Sequence, residues 1–249
     1  PTKNLVSSTV EPIVAKIYHI NTTEIIKTQN FVYLGVLLTG EKCYVKIRAK
    51  LANALKSIKE NCMCAVTKEI EDLISMIQIV KGLALPEGWK YPHRMHKNLW
   101  HCTTLYKGNV DFSKVKNRQE YNEFEEGKIV NVKVVGIVYV PMKIIVTVVK
   151  LENTKSINEY THITTFINGY APKKANDVMK EIFSSKSTTA NIYKAKMTES
   201  NEENEITTSS NKDYVSEESI SIDGENMKAY VVLYGSPFIL EGSMHAFEK

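Results

Sequence analysis

The sequence predicts an α+β fold: two pseudo-symmetric lobes with antiparallel sheets facing a central cleft, and helices outside. Three observations predict it. Short β-rich apolar runs and longer stripes of helical periodicity both occur along the chain. Two long apolar runs, 128–140 and 143–151, are joined by a connection too short for a parallel crossover, so they form an antiparallel hairpin. One short pattern is written twice. Residues 101–105 read His101-Cys102-Thr103-Thr104-Leu105, and residues 162–166 read His162-Ile163-Thr164-Thr165-Phe166. Each copy is His, apolar, Thr, Thr, large apolar.

The elements follow in order. Residues 13–20 suggest a first strand, with His19 as a lone packing histidine. Residues 31–38, Phe-Val-Tyr-Leu-Gly-Val-Leu-Leu, make a stronger strand ended by Thr39-Gly40. From Arg48 to Glu60, Leu51, Leu55 and Ile58 recur at helical spacing with lysines toward water. A second helix starts at Thr67, carries the stripe Ile70, Leu73, Ile74, Ile77 and Val80, and ends near Gly82. Residues 86–100 form a loop with His93, Arg94, His96 and Lys97, leading into the first motif. Lys107-Gly108-Asn109 is a turn, and 111–126 is polar with a short irregular helix. The hairpin and the loop 153–160 come next, then the second motif, closed by Asn168-Gly169-Tyr170. Pro172 opens a helix carrying Ala175, Val178, Met179, Ile182 and Phe183. Residues 184–229 are rich in Ser, Thr, Glu and Asn and read as a mobile polar insertion. Strand chemistry returns from Lys228 to Leu240. The reading is a single two-lobed domain over 1–249 with an insertion at about 184–229.

Composition bounds the function. With 43% hydrophobic residues the chain can bury a sizeable core. A net charge of +4 allows an anionic partner but lacks the bias of a dedicated nucleic-acid binder. The four cysteines, Cys43, Cys62, Cys64 and Cys102, have neither zinc-finger spacing nor a disulfide-scaffold context. They read as reduced thiols in a cytoplasmic setting, with no metal site. No apolar run approaches the ~20 residues of a membrane span.

The repeat carries the chemistry. A strand puts residues i and i+2 on one face, roughly 7 Å apart. So His101 shares a face with Thr103, and His162 with Thr164, while Cys102 and Ile163 point into a core. Two such strands together offer two imidazoles and two hydroxyls to one small group, and a phosphate fits them. One imidazole can activate a nucleophile and the other can protonate a leaving oxygen. The hydroxyls can donate to non-bridging oxygens. Without a clustered carboxylate the set is a poor magnesium site, so the chemistry is metal-independent and needs no cofactor. Arg94, Lys97, Tyr106 and Tyr170 stand as rim residues for the substrate. Trp100 should point away from the site by strand alternation.

The paired His-x-Thr motifs resemble the signature of the two-histidine phosphoesterase superfamily over about residues 30–184. Within it the chain is similar to the cyclic phosphodiesterase domain of fungal-type tRNA ligases. The matching residues are Leu99-Trp100-His101-Cys102-Thr103-Thr104, the hairpin Ile137-Val138-Tyr139 to Val148-Val149, and His162-Ile163-Thr164-Thr165. Asn176 resembles part of a serine-asparagine segment after the family's second motif, with Ala175 where the serine would stand. The resemblance implies hydrolysis of a 2′,3′-cyclic phosphate or a 2′-5′ phosphodiester in RNA or nucleotides. It favours His162 as base and His101 as acid when a 2′,3′-cyclic phosphate is opened toward a 2′-phosphate; the near-identical motifs do not order the pair by themselves, and the roles reverse if the other ester bond is cut. Relatives also act on cyclic dinucleotides and 2′-5′ oligoadenylates, some in antiviral conflict. The reading from another class is a nucleotide- or RNA-binding module that keeps the cleft without turnover.

Overall fold

The computed structural model describes residues 31–38, 40–62, 67–78, 85–92, 100–108, 110–198 and 212–247. The expected strand at 13–20, with His19, lies outside them. So do His93, Arg94, His96 and Lys97 of the loop before the first motif.

Strand β1 (Tyr33–Leu38) is followed by helices α1 (Glu41–Asn61) and α2 (Thr67–Gln78). Then come β2 (His101–Tyr106), a single 3-10 turn at Phe112–Lys114 and a short α3 (Gln119–Asn122). The hairpin is β3 (Ile129–Val140) and β4 (Ile144–Glu152), followed by β5 (His162–Ile167). Helices α4 (Lys174–Phe183) and α5 (Thr188–Thr198) precede β6 (Tyr214–Ile222) and the long β7 (Glu225–Phe247). The architecture is α+β with an antiparallel sheet. The strands form one continuous sheet in the order β1-β2-β5-β4-β3-β7-β6, and β1 also pairs with β7, closing the circuit.

Closure depends on β7. Its first part pairs with β6, through Tyr214↔Leu233 to Ile222↔Glu225. Its last part pairs with β1, through Leu38↔Gly242 to Tyr33↔Phe247. It stays beside β3 along both parts, with a register shift between Val134 and Gly136. The segment between Leu233 and Phe238 carries Gly235-Ser236-Pro237, and proline cannot donate to a ladder. There the strand changes its second neighbour.

Each face of the sheet has its own core. On one side α1 and α2 bury Ile47, Leu51, Leu55, Ile58, Ile70, Leu73 and Ile77 against Val36, Cys102, Val132, Val134, Tyr139 and Ile163. On the other, α4 and α5 bury Ala175, Val178, Met179, Ile182 and Tyr193 against Val146, Val148 and Leu233. Strand alternation serves both layers: Ile137 and Tyr139 go to the first, Val138 and Val140 to the second.

Residues 184–229 depart from the expected polar insertion. They contain α5, β6 and the start of β7. The turn between the strands is Asp223-Gly224, with φ of 54° and 82°, the left-handed pair that a two-residue hairpin needs. Strand β6 is an edge; its Glu217, Ser219 and Ser221 face water, while Ile220 and Ile222 are buried and Ser216 and Glu218 meet the buried Thr189 hydroxyl of α5. Lys174, whose place in the first helical turn opposes the helix dipole, pairs with Asp223 at 2.7 Å and Asp177 at 3.1 Å. No helix among the described residues is long and apolar enough to cross a membrane.

Candidate active site

The two motifs occupy β2 and β5, which touch through one antiparallel pair, Cys102↔Ile163. Both residues belong to the core under α1 and α2. Their neighbours in sequence therefore leave the sheet on the opposite side. Antiparallel register about this pair sets His101 beside Thr164 and Thr103 beside His162. Directly opposed Cβ atoms lie about 4.5–5.5 Å apart and diagonal ones about 7–8 Å. The four motif side chains thus form a two-by-two patch on one face, with the histidines on its diagonal.

The second threonine of each motif goes the other way. Thr165 is buried and its Oγ1 lies 2.7 Å from that of Thr147. Thr104 is buried with no hydrogen-bond partner for its Oγ1 among the described residues. Trp100 points into the α1/α2 core and donates from Nε1 to the Thr165 carbonyl at 3.0 Å. The Cys102 thiol is pushed up to about 12 by burial, against the opposing pull of the His162 backbone N–H. It is therefore a packing thiol rather than a nucleophile.

The two histidines differ in surroundings. His162 is only 6% exposed, and its Nδ1 lies 2.7 Å from the Tyr160 carbonyl oxygen. A carbonyl can only accept, so Nδ1 carries the proton and Nε2 keeps its lone pair. Burial holds the imidazole below its ordinary pKa, partly offset by the bond to Tyr160. His101 stacks on Tyr33, with ring centroids 4.9 Å apart, and tilts against Phe247 at 5.2 Å. Tyr33 and Phe247 stack on each other at 4.5 Å. Gly35 makes this packing possible, since a Cβ there would sit 2.9 Å from the Cys102 carbonyl oxygen and 3.5 Å from the Phe247 ring.

The loop 153–160 braces the first motif. Ser156 Oγ donates to the Thr103 carbonyl at 2.8 Å, Asn158 Nδ2 reaches the same oxygen at 3.4 Å, and the Ile157 N–H donates to Thr104 O at 2.7 Å. Thr164 Oγ1 makes a long contact, 3.5 Å, to the Pro172 carbonyl before α4. Of the expected rim residues, Tyr106 is 63% exposed and pairs with Tyr33 across β1 and β2. Tyr170 lies past the far end of β5 from His162. There Lys143 sits 5.2 Å from its ring, and its hydroxyl meets Met227 Sδ at 3.3 Å. Lys97 and Arg94 are outside the described residues.

A further histidine escaped the sequence reading. His245 Nε2 lies 2.7 Å from Ser243 Oγ, and its Nδ1 lies 2.8 Å from Glu126 Oε1. The Ser-x-His spacing on one strand was the available signal. The chain of three resembles a hydrolytic triad in connectivity alone. Ser243 sits mid-sheet, paired with Leu37 on one side and Ile129 on the other, so its backbone is committed to the ladders. The trio ties the turn before β3 to β7. Among the described residues no group of three His, Cys, Asp or Glu side chains converges as metal ligands would.

No family model and no curated protein matches the chain. Among solved structures it is similar to one described as the crystal structure of fungal RNA kinase, at 11% identity and a TM-score of 0.43. The match covers 88% of this chain and 46% of that one, so the chain spans about half of that protein's length. A likeness at this level is a distant one of chain path and carries nothing about activity.

Proposed function

We propose that the chain is a metal-independent phosphodiesterase that hydrolyses a 2′,3′-cyclic phosphate or a 2′-5′ phosphodiester of RNA or a nucleotide. The observation that carries this reading is the Cys102↔Ile163 pair, whose register gathers His101, Thr103, His162 and Thr164 on one face. In this reading the scissile phosphate lies over the patch. Neutral His162 takes a proton from water at Nε2 as the water oxygen bonds to phosphorus. The bond from phosphorus to the ribose oxygen breaks, and His101 gives that oxygen a proton. The faces of Tyr33 and Phe247 suit an imidazolium at His101. Thr103 and Thr164 donate to the non-bridging oxygens as charge builds there. Superfamily resemblance orders the histidines the same way, and the RNA-end or nucleotide substrate comes from that resemblance.

The test is a panel of nucleoside 2′,3′-cyclic phosphates, 2′-5′ and 3′-5′ oligonucleotides and cyclic dinucleotides, incubated in EDTA with products separated. Turnover of cyclic phosphates or 2′-5′ linkages supports the proposal. Turnover confined to 2′-5′ oligoadenylates narrows it to a signal-degrading hydrolase, and turnover confined to cyclic dinucleotides replaces it with one. Tight nucleotide binding with no turnover replaces it with a binding module.

A further inference from the structure

The face that carries the motifs continues onto β4 and β3. His162 pairs with Val148, so Lys150 is its diagonal neighbour on the same side, on the order of 7–8 Å away between Cα atoms. Lys133 stands directly opposite Lys150. Their sequence neighbours Val134 and Val149 point into the α1/α2 core, so both lysines leave the sheet on the motif side. Lys133 is only 8% exposed.

Two ammonium groups thus stand on opposed positions, one of them sunk. Carboxylates stand on the next rung. Asn131 pairs with Glu152 on one side and Glu241 on the other, so both acids are diagonal to Lys133. That rung lies farther from His162 than the lysines do. The cationic pair therefore sits between the acids and the reacting centre, where a second anion would meet it first. Ile129 and Ile239, on the same side of the sheet, are exposed.

We propose that Lys133 and Lys150 bind a phosphate adjacent to the scissile one. The substrate is then an oligonucleotide end or a nucleotide with a second phosphate, rather than a lone nucleoside cyclic phosphate. This rests on the phosphodiesterase reading and names its substrate class.

The experiment compares a nucleoside 2′,3′-cyclic phosphate with its 5′-phosphorylated counterpart in EDTA. The wild type should show a lower KM for the 5′-phosphorylated compound. Lys133→Met and Lys150→Met should each raise that KM ~10-fold more than the KM for the 5′-hydroxyl compound, the scale of one charge-assisted hydrogen bond. Lys150→Arg should restore most of the preference. Equal KM values in the wild type, or equal effects of the lysine variants on both compounds, overturn the subsite. Calorimetric binding of a nucleoside 3′,5′-bisphosphate against the 3′-monophosphate separates the two proposals. A lysine-dependent preference for the bisphosphate without turnover keeps the subsite and removes the phosphodiesterase. Turnover without that preference does the reverse, and absence of both removes both. Lys150 is partly exposed, so its variants remain readable should Lys133→Met fail to fold.

Discussion

Thr147 and Thr165 share a hydrogen bond of 2.7 Å on the buried side of β4 and β5, directly behind the face that carries Thr164. The four motif threonines therefore divide into two kinds. Thr103→Ala and Thr164→Ala should lower kcat by ~10²–10³ with little change in melting temperature, as loss of an oxyanion-type donor does. Thr165→Val should do the opposite. It strands Thr147 in the core and costs about 1–3 kcal/mol of stability, with a small effect on rate. Thr104→Val, which removes a buried hydroxyl lacking a partner among the described residues, should be neutral or stabilising. Steady-state kinetics beside thermal melts read all four, and equal small losses at every position would show that Thr103 and Thr164 do not hold the phosphate oxygens.

The histidine pair gives a second expectation. His101→Ala and His162→Ala should each reduce kcat by ~10²–10⁴, the range of positioned acid-base groups, with no rescue by added divalent metal. The wild type should show a bell-shaped pH–rate profile in EDTA whose limbs belong to the coupled pair. A variant of either histidine that keeps near-wild-type turnover would rule out two-imidazole chemistry.

Burial of His162 has a consequence for stability. Its folded pKa is held below the ordinary value of 6.5 by desolvation. Above 6.5 both folded and unfolded states are neutral there, and the contribution is fully present. As pH falls below that value the unfolded chain takes up a proton that the folded chain resists. Stability is then lost progressively down through the folded pKa. Urea midpoints measured from about pH 8 to about pH 5 should fall more steeply for the wild type than for His162→Gln. Parallel slopes would mean that His162 is not held neutral in the fold.

Gly35 supplies the fourth. An added Cβ would press on the Cys102 carbonyl oxygen at 2.9 Å, which is backbone and cannot swing away. Gly35→Ala should part β1 from β2 beneath His101 and Phe247, costing about 1–3 kcal/mol as overpacking does. Melting temperature and turnover should fall together. A variant with wild-type values for both would show that the strands have room to spare.

Much of this was legible in the sequence, for identifiable reasons. The stripe Ile70, Leu73 and Ile77 is buried in α2, and the alternation around His101 and His162 matches two strands with Cys102 and Ile163 inward. Helix α1 begins at Glu41, well before Arg48, because Gly40 precedes it with no side-chain cap to mark the start. Strand β6 was hidden by its edge position, where Ser and Glu outnumber the buried Ile220 and Ile222. Its Asp223-Gly224 turn was the readable signal. The His245–Glu126 contact could not be read, because it joins a turn to a strand far along the chain, and the Lys133↔Lys150 opposition was hidden by the register shift between Val134 and Gly136 inside an otherwise readable hairpin.

The long strand β7 also puts the molecule on a clock. Its neighbours β1 and β3 leave the ribosome far ahead of it, yet each needs it to complete its ladder. Roughly 200 residues separate β1 from its β7 partner. At about 5–20 residues per second, β1 waits on the order of 10–40 s for it. During that interval the apolar strands expose an open edge, and Val130, Val132 and Val134 lack the strand that will lie beside them. A nascent chain of this topology should draw holding chaperones before its sheet can close, and slow codons just ahead of residue 225 would lengthen its exposure.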